Sequence, residues 1–194
     1  TLKSLKDDFG VTAVKAEFEA EGTRIDELLR LVEIIRKLNL NLGIKIGGCE
    51  AIKDMMECKQ IGVDYIIAPM VETPYALKKF IDAKNKIYQK AELNRTDFLI
   101  NIETDTSVRN IDNIIKINKK SKKPINGIVF GRVDYALSCG LNREQINRSS
   151  KVTNSILSIS KKAKKNSLDL VVGGAVSISA LNTLEKINNI HLSR

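Results

Sequence analysis

The sequence predicts an α/β fold in which a parallel sheet curls toward a barrel, and three observations predict it. Short β-branched runs alternate with longer amphipathic ones, the pattern of strand–helix units around a parallel sheet. Two of the short runs, Phe98-Leu-Ile-Asn-Ile-Glu103 and Gly127-Ile-Val-Phe-Gly-Arg-Val-Asp134, end in carboxylates about thirty residues apart, the length of one such unit. In the first run Leu99, Asn101 and Glu103 share one face, which leaves Phe98, Ile100 and Ile102 on the other. A greasy face suits covering helices, and a mixed face suits a barrel interior.

The elements follow in order. Thr1–Gly10 does not read as a full strand and helix. Val11–Glu19 is the first candidate strand, with Lys15, Glu17, Glu19 and Glu21 alternating with apolar residues, and Ile25–Leu38 the first amphipathic helix. Leu42–Gly47 is a strand in which Lys45 lies between Ile44 and Ile46 and so points inward, followed by a helix over Cys49–Ile61. Tyr65–Val71 leads to a helix over Thr73–Gln89, which Pro74 opens at a first-turn position where its missing N–H does no harm. Gln89–Asp97 is a polar surface connection. Phe98–Glu103 precedes a helix over Thr106–Lys119, capped by Asp105 or Thr106. Gly127–Phe130, a helix over Arg143–Asn166, the strand Leu168–Gly173 and a helix over Ser177–Ile187 complete the series.

Six strands are thus visible, whereas a closed (β/α)8 (TIM) barrel needs eight. We therefore expect a single barrel domain over residues 1–194 that lacks its first and last strands. Thr1 in place of a start methionine, and a halt at Arg194 where a final strand should follow, lead us to expect further segments of the native chain at both ends.

Composition narrows the function classes. The net charge of +9 is carried by runs such as Lys119–Lys123 and Lys161–Lys165. These fall late in helical stretches, where lysine complements the helix dipole and stays solvated. Aromatic residues are only 5% and none interleave with the lysines, so stacking platforms for nucleic acid are absent. No apolar run approaches the roughly 18 residues of a membrane span. Cys49, Cys58 and Cys139 are odd in number and follow no metal-ligand spacing, which reads as free thiols in a reducing, cytoplasmic setting.

Glu103 and Asp134 are the central candidates. On neighbouring parallel strands, about 4.8 Å apart, two carboxylates are unfavourable unless something positive separates them. A divalent cation with oxygen ligands supplies that charge, and Mg²⁺ takes one or two protein carboxylates and leaves the rest to substrate and water. Backbone amides of the Gly131-Arg132-Val133-Asp134 turn can hold a substrate carboxylate, because glycine permits close approach. Arg132 and Arg24 are candidates for a charged substrate tail. Glu72 either orients Lys45 or opens the next helix.

The segments Ala68-Pro-Met-Val-Glu-Thr-Pro74, Ile102-Glu103-Thr, Gly131-Arg-Val-Asp134 and Val172-Gly-Gly-Ala175 occur in order at the spacing of strand–helix units. On these the chain, from about Val11 to Leu184, resembles the HpcH/HpaI aldolase and citrate lyase family of the phosphoenolpyruvate/pyruvate-binding barrels. The resemblance implies a (β/α)8 barrel holding Mg²⁺, or Mn²⁺ or Co²⁺, through Glu103 and Asp134. It implies a carbon–carbon lyase of aldolase type that acts on a small 2-oxo acid or related carboxylate through a metal-stabilised enolate. The alternatives are an acyl-CoA lyase of the citrate lyase branch and a non-catalytic barrel that keeps its ligand site. The family also tends to assemble so that a neighbour covers the mouth, which implies a homo-oligomer.

Two departures stand out. Lys45 occupies the place of the family's substrate-binding arginine, keeping the charge and losing the planar fork. The histidine common after the first strand here is absent, the best match being Glu21-Gly22. General-base work would fall to Glu21, Glu50, Arg24 or a metal-bound water. His191, near the end of the chain, reads as an incidental surface residue.

Overall fold

The structure is a computed structural model that describes residues 1–193. Its centre is a parallel sheet of six strands in sequential order: β1 (Ala13–Glu17), β2 (Asn41–Lys45), β3 (Tyr65–Ala68), β4 (Asp97–Ile102), β5 (Gly127–Gly131) and β6 (Asp169–Gly173). Helices α1 (Leu2–Phe9), α2 (Ile25–Lys37), α3 (Ile52–Ile61), α4 (Pro74–Ile87), α5 (Asp105–Lys120), α6 (Arg132–Ser138), α7 (Ser150–Lys165) and α8 (Leu181–Asn188) surround it. Six parallel strands in chain order, each followed by a helix, are consistent with part of a TIM-like barrel.

The period-two pattern fixes which face is which. Ile44, Ile66, Ile100, Ile102, Ile128, Phe130 and Leu170 are buried and join the helix faces in a hydrophobic cluster. Each such side chain contributes about 1.5–3 kcal/mol on burial. The alternate residues Lys15, Glu17, Gly43, Lys45, Tyr65, Ile67, Leu99, Asn101, Val129 and Val171 line the opposite, concave face. The register keeps these rows aligned, with Glu17 opposite Lys45, Lys45 opposite Ile67, Ile67 opposite Leu99 and Asn101 opposite Val129.

Several expectations need correction. Thr1–Gly10 holds no full strand–helix unit, as expected, but does hold a helix, α1, capped at its start by Thr1 and closed by Gly10 at φ 69°. It carries no fully buried residue, although Leu2, Leu5 and Phe9 fall at helical spacing and Leu2 packs against the core. The cap of α5 is Thr104, whose side chain accepts from Ser107 N, rather than Asp105 or Thr106. The first strand ends at Glu17, so Glu19 lies beyond it and is exposed. The Gly131–Asp134 segment is the start of helix α6 rather than an open turn. The helix expected from Arg143 begins only at Ser150, after a 3-10 turn over Arg143–Gln145. Along the outer edge of β6, Ser193 N donates to Leu170 O at 2.8 Å and Leu170 N donates to Ser193 Oγ at 3.0 Å.

One buried charge braces the helical layer. Lys84 of α4 is 1% exposed. Its Nζ donates to Lys123 O and Pro124 O at 2.7 and 2.9 Å, which ties α4 to the loop before β5. Burial, with the Lys123 charge nearby, pushes its ammonium down to about 8. The folded state therefore releases this proton before the unfolded chain does, and stability from this group rises between pH 8 and the ordinary lysine range. Thermal unfolding should show wild type gaining on Lys84→Met across that window. A difference independent of pH would refute the assignment.

Candidate active site

The concave face of the sheet and the loops after its strands enclose a cavity of about 590 Å³. That volume lies within the range of small-molecule sites. Of the residues nominated from sequence, Glu21, Lys45, Glu103, Gly131, Val133 and Asp134 all line it.

Glu103 follows β4 and is 2% exposed. Its Oε1 accepts from Met70 N at 2.9 Å and its Oε2 from Asn101 Nδ2 at 2.7 Å. Met70 reaches that position with φ 51°, a left-handed conformation uncommon for a residue with a side chain. No cation of the described residues lies within ion-pair distance of Glu103. Gly131 makes room for it, since a Cβ there would sit 2.8 Å from both Cβ and Oε2 of Glu103. Asp134, in the first turn of α6, is half-buried and has no hydrogen-bond or ion-pair partner among the described residues. Asn101 Oδ1 is buried with no hydrogen-bond partner.

The far wall is charged differently. Glu17 is 8% exposed and bridges two ammonium groups, Lys15 on its own strand and Lys45 on the next, the latter at 3.2 Å. Burial alone would raise the Glu17 carboxyl. Lys15 and Lys45 outweigh it and hold the carboxyl below the usual range. Glu21 approaches Lys15 at 3.8 Å and is exposed at the edge of the cavity.

Three nominated residues lie away from the cavity walls. Glu50 forms an ion pair with Lys79 at 2.6 Å. Arg24 flanks the start of α2, where its guanidinium takes both oxygens of Asp26 at 3.0 Å. Arg132 is fully buried and turned into the scaffold, donating to Gly174 O, Ala175 O and Asn147 Oδ1. Glu72 accepts from Thr104 Oγ1 at 2.7 Å and so braces the loop next to Glu103 rather than Lys45. His191 is half-buried, with Nε2 at 2.9 Å from Leu168 O, and is not a free surface group. Lys15, Asn101 and Arg143 line the cavity without having been nominated. The inward parity of Lys15 and Asn101 was the signal available for both.

The family model described as HpcH/HpaI aldolase/citrate lyase matches residues 13–183. The chain belongs to this family. Solved structures agree on the fold. An HpcH/HpaI aldolase from Desulfitobacterium hafniense DCB-2 superposes with a TM-score of 0.77 at 12% identity, covering 98% of this chain and 79% of that one. The citrate synthase SbnG gives 0.77 at 15%, with the same coverages. An HpcH/HpaI aldolase/citrate lyase family protein from Burkholderia cenocepacia J2315 gives 0.76 at 12%, covering 94% and 78%. No curated protein matches the chain.

A family of lyases and aldolases raises the question whether this donor set fits a divalent ion. No group of three or more His, Cys, Asp or Glu side chains suited to a metal occurs among the described residues. Glu103, Asp134 and the orphaned Asn101 Oδ1 nevertheless offer oxygen donors in one cavity. Hard oxygen donors with at most two carboxylates are what Mg²⁺ accepts when substrate and water complete its shell. The residues present fit the ion. Among the described residues no helix is long and apolar enough to cross a membrane.

Proposed function

We propose that this protein is a divalent-metal-dependent carbon–carbon lyase of aldolase type acting on a small 2-oxo acid. The observation that carries the reading is the buried Glu103, clamped by two neutral donors and without a cation, next to Asn101, whose Oδ1 has no partner, and in one cavity with the unpartnered Asp134. A buried carboxylate in that condition calls for a positive ligand. Mg²⁺, Mn²⁺ or Co²⁺ held by Glu103 and Asp134 would supply a Lewis acid beside the oxygen on which negative charge develops.

The chain's own groups divide the remaining work. Lys45 offers an ammonium to the substrate carboxylate from the wall it shares with Glu17. Gly131 lets the substrate approach the start of α6, and Val133 supplies an apolar surface beside it. Glu21 is the carboxylate placed to take a proton from a substrate hydroxyl in cleavage and to return it in condensation. An acyl-CoA lyase is a second reading, favoured by the absence of histidine from the cavity walls.

Pyruvate release from a panel of 2-oxo-4-hydroxy acids, with Mg²⁺, Mn²⁺ or Co²⁺ and after chelation, tests the first reading. Acyl-CoA thioesters in the same assay test the second. Turnover that survives chelation would exclude the metal, and release from thioesters alone would select the second reading.

A further inference from the structure

Glu17 carries two ammonium groups on one buried carboxylate, an arrangement the lyase reading does not use. Lys15 and Glu17 stand two residues apart on β1, so both point to the concave face, and the register sets Lys45 of β2 opposite Glu17. Lys45 Nζ lies 3.2 Å from one carboxylate oxygen, and Lys15 holds the other. All three residues line the cavity. We propose that Lys45 is a covalent catalyst as well as a cation, its amine forming an imine with the 2-oxo carbon of the substrate. The proposal rests on the 2-oxo acid substrate of the lyase reading and adds to it a bond between protein and substrate.

The surroundings select this amine over its neighbour. A lysine is activated as a nucleophile by a second cation beside it and by a dry, partly apolar setting. Lys15 is the second cation, brought alongside by the carboxylate the two share. On its other side Lys45 is paired in register with Ile67, which is buried. The Lys45 side chain is 17% exposed and that of Lys15 45%, so Lys45 is the drier of the two. Lys15 also has Glu21 at 3.8 Å, so its charge stays countered when Glu17 takes up a proton. An arginine in place of Lys45 could not make this bond, because a guanidinium stays protonated.

The step balances without an outside reagent. Glu17 takes a proton from the Lys45 ammonium, and the freed Nζ lone pair attacks C2, the carbon next to the carboxylate that Lys45 first engages. The C2 oxygen gains a proton as Nζ loses one, which gives a carbinolamine. Glu17 then returns its proton to that hydroxyl and water leaves. A cationic imine remains, and Glu17 is again a carboxylate. In cleavage the electron pair of the C3–C4 bond moves toward the imine nitrogen while the C4 hydroxyl gives its proton to Glu21, so an enamine forms. Glu21 returns that proton to C3, and water adds back at C2 to release pyruvate and Lys45.

Pyruvate with Mg²⁺ and sodium cyanoborohydride, which reduces imines to stable amines, tests this by peptide mass mapping. The reduced adduct should sit on Lys45 at least about tenfold above exposed Lys3 and Lys53, the advantage of a carbonyl held beside the amine. Lys45→Arg keeps a cation beside Glu17 but offers no free amine, so it should lose the adduct altogether while unfolding close to wild type. Glu17→Gln, which removes the proton carrier, should slow labelling about 100-fold. The wild-type map needs no variant to fold. An adduct on Lys15 instead, on all lysines alike or on none overturns the proposal, as does an undiminished yield in Lys45→Arg. Metal-dependent pyruvate release by an enzyme that traps nothing would overturn it and leave the lyase reading standing. A Lys45 adduct in an enzyme that releases no pyruvate from hydroxy acids would support the amine and count against the lyase reading.

Discussion

Glu103→Gln should remove divalent-ion binding and lower turnover about a thousandfold. The substitution is isosteric and leaves the side chain in the same pocket, so its effect isolates the charge. In wild type both oxygens accept hydrogen bonds, from Met70 N and Asn101 Nδ2. A glutamine amide would turn an N–H toward one of those donors and lose that bond, at a cost of about 1 kcal/mol. Against this, the variant no longer buries a carboxylate without a cation. Ion-free stability should therefore stay within about 1–2 kcal/mol of wild type. The two proteins should separate when Mg²⁺ is added. At a hundred times its dissociation constant the ion would stabilise wild type by about 2.7 kcal/mol and the variant not at all. Thermal unfolding with and without Mg²⁺ reads this directly and needs no substrate. An equal upward shift in both proteins would place the ion elsewhere.

What the sequence discloses about this site is set by the period of the strands. Alternation along Leu99-Ile-Asn-Ile-Glu103, and the position of Lys45 between two isoleucines, put the correct side chains on the concave face, because successive residues of a strand must point oppositely. The start of α4 was legible because Pro74 fits a first-turn position, whereas the capped starts of α5 and α7 were misplaced. Other features depend on contacts between distant segments. Arg132 turns away from the cavity because carbonyls of Gly174 and Ala175, far along the chain, accept its hydrogen bonds. Glu50 is drawn off by Lys79, which the helix α4 brings alongside. Helix α1 carries Leu2, Leu5 and Phe9 at helical spacing, but only Leu2 packs against the core, and the segment is too short for that spacing to stand out.

Arg132→Met should be the most destabilising single change near the site, although Arg132 does not itself line the cavity. The guanidinium is fully buried, and burial holds its ionisation below the usual arginine range. No carboxylate pairs with it among the described residues. It is instead solvated by three acceptors: Gly174 O at 2.9 Å, Ala175 O at 2.7 Å and Asn147 Oδ1 at 2.9 Å. Methionine fills much of the same volume but leaves those acceptors without donors. Removing one partner of a buried bond costs about 1–3 kcal/mol, partly offset here by no longer burying a charge and by water reaching the loop carbonyls. A net loss of about 2–4 kcal/mol is expected, which for a chain of this size lowers Tm by roughly 5–15 °C. The damage should be local before it is global. Ala175 is held at φ 50° by this clamp, and Gly174 at φ 82° packs its backbone against Val133. Amide exchange in Gly174–Ala180 and Asn142–Asn147 should therefore accelerate more than in β4, where the hydrogen-bonded ladder is untouched. Arg132→Lys should recover less than half of the loss, because one ammonium cannot span acceptors on two separate loops. Uniform acceleration across the sheet would show instead that Arg132 supports the fold as a whole, and that the two loops do not depend on it in particular.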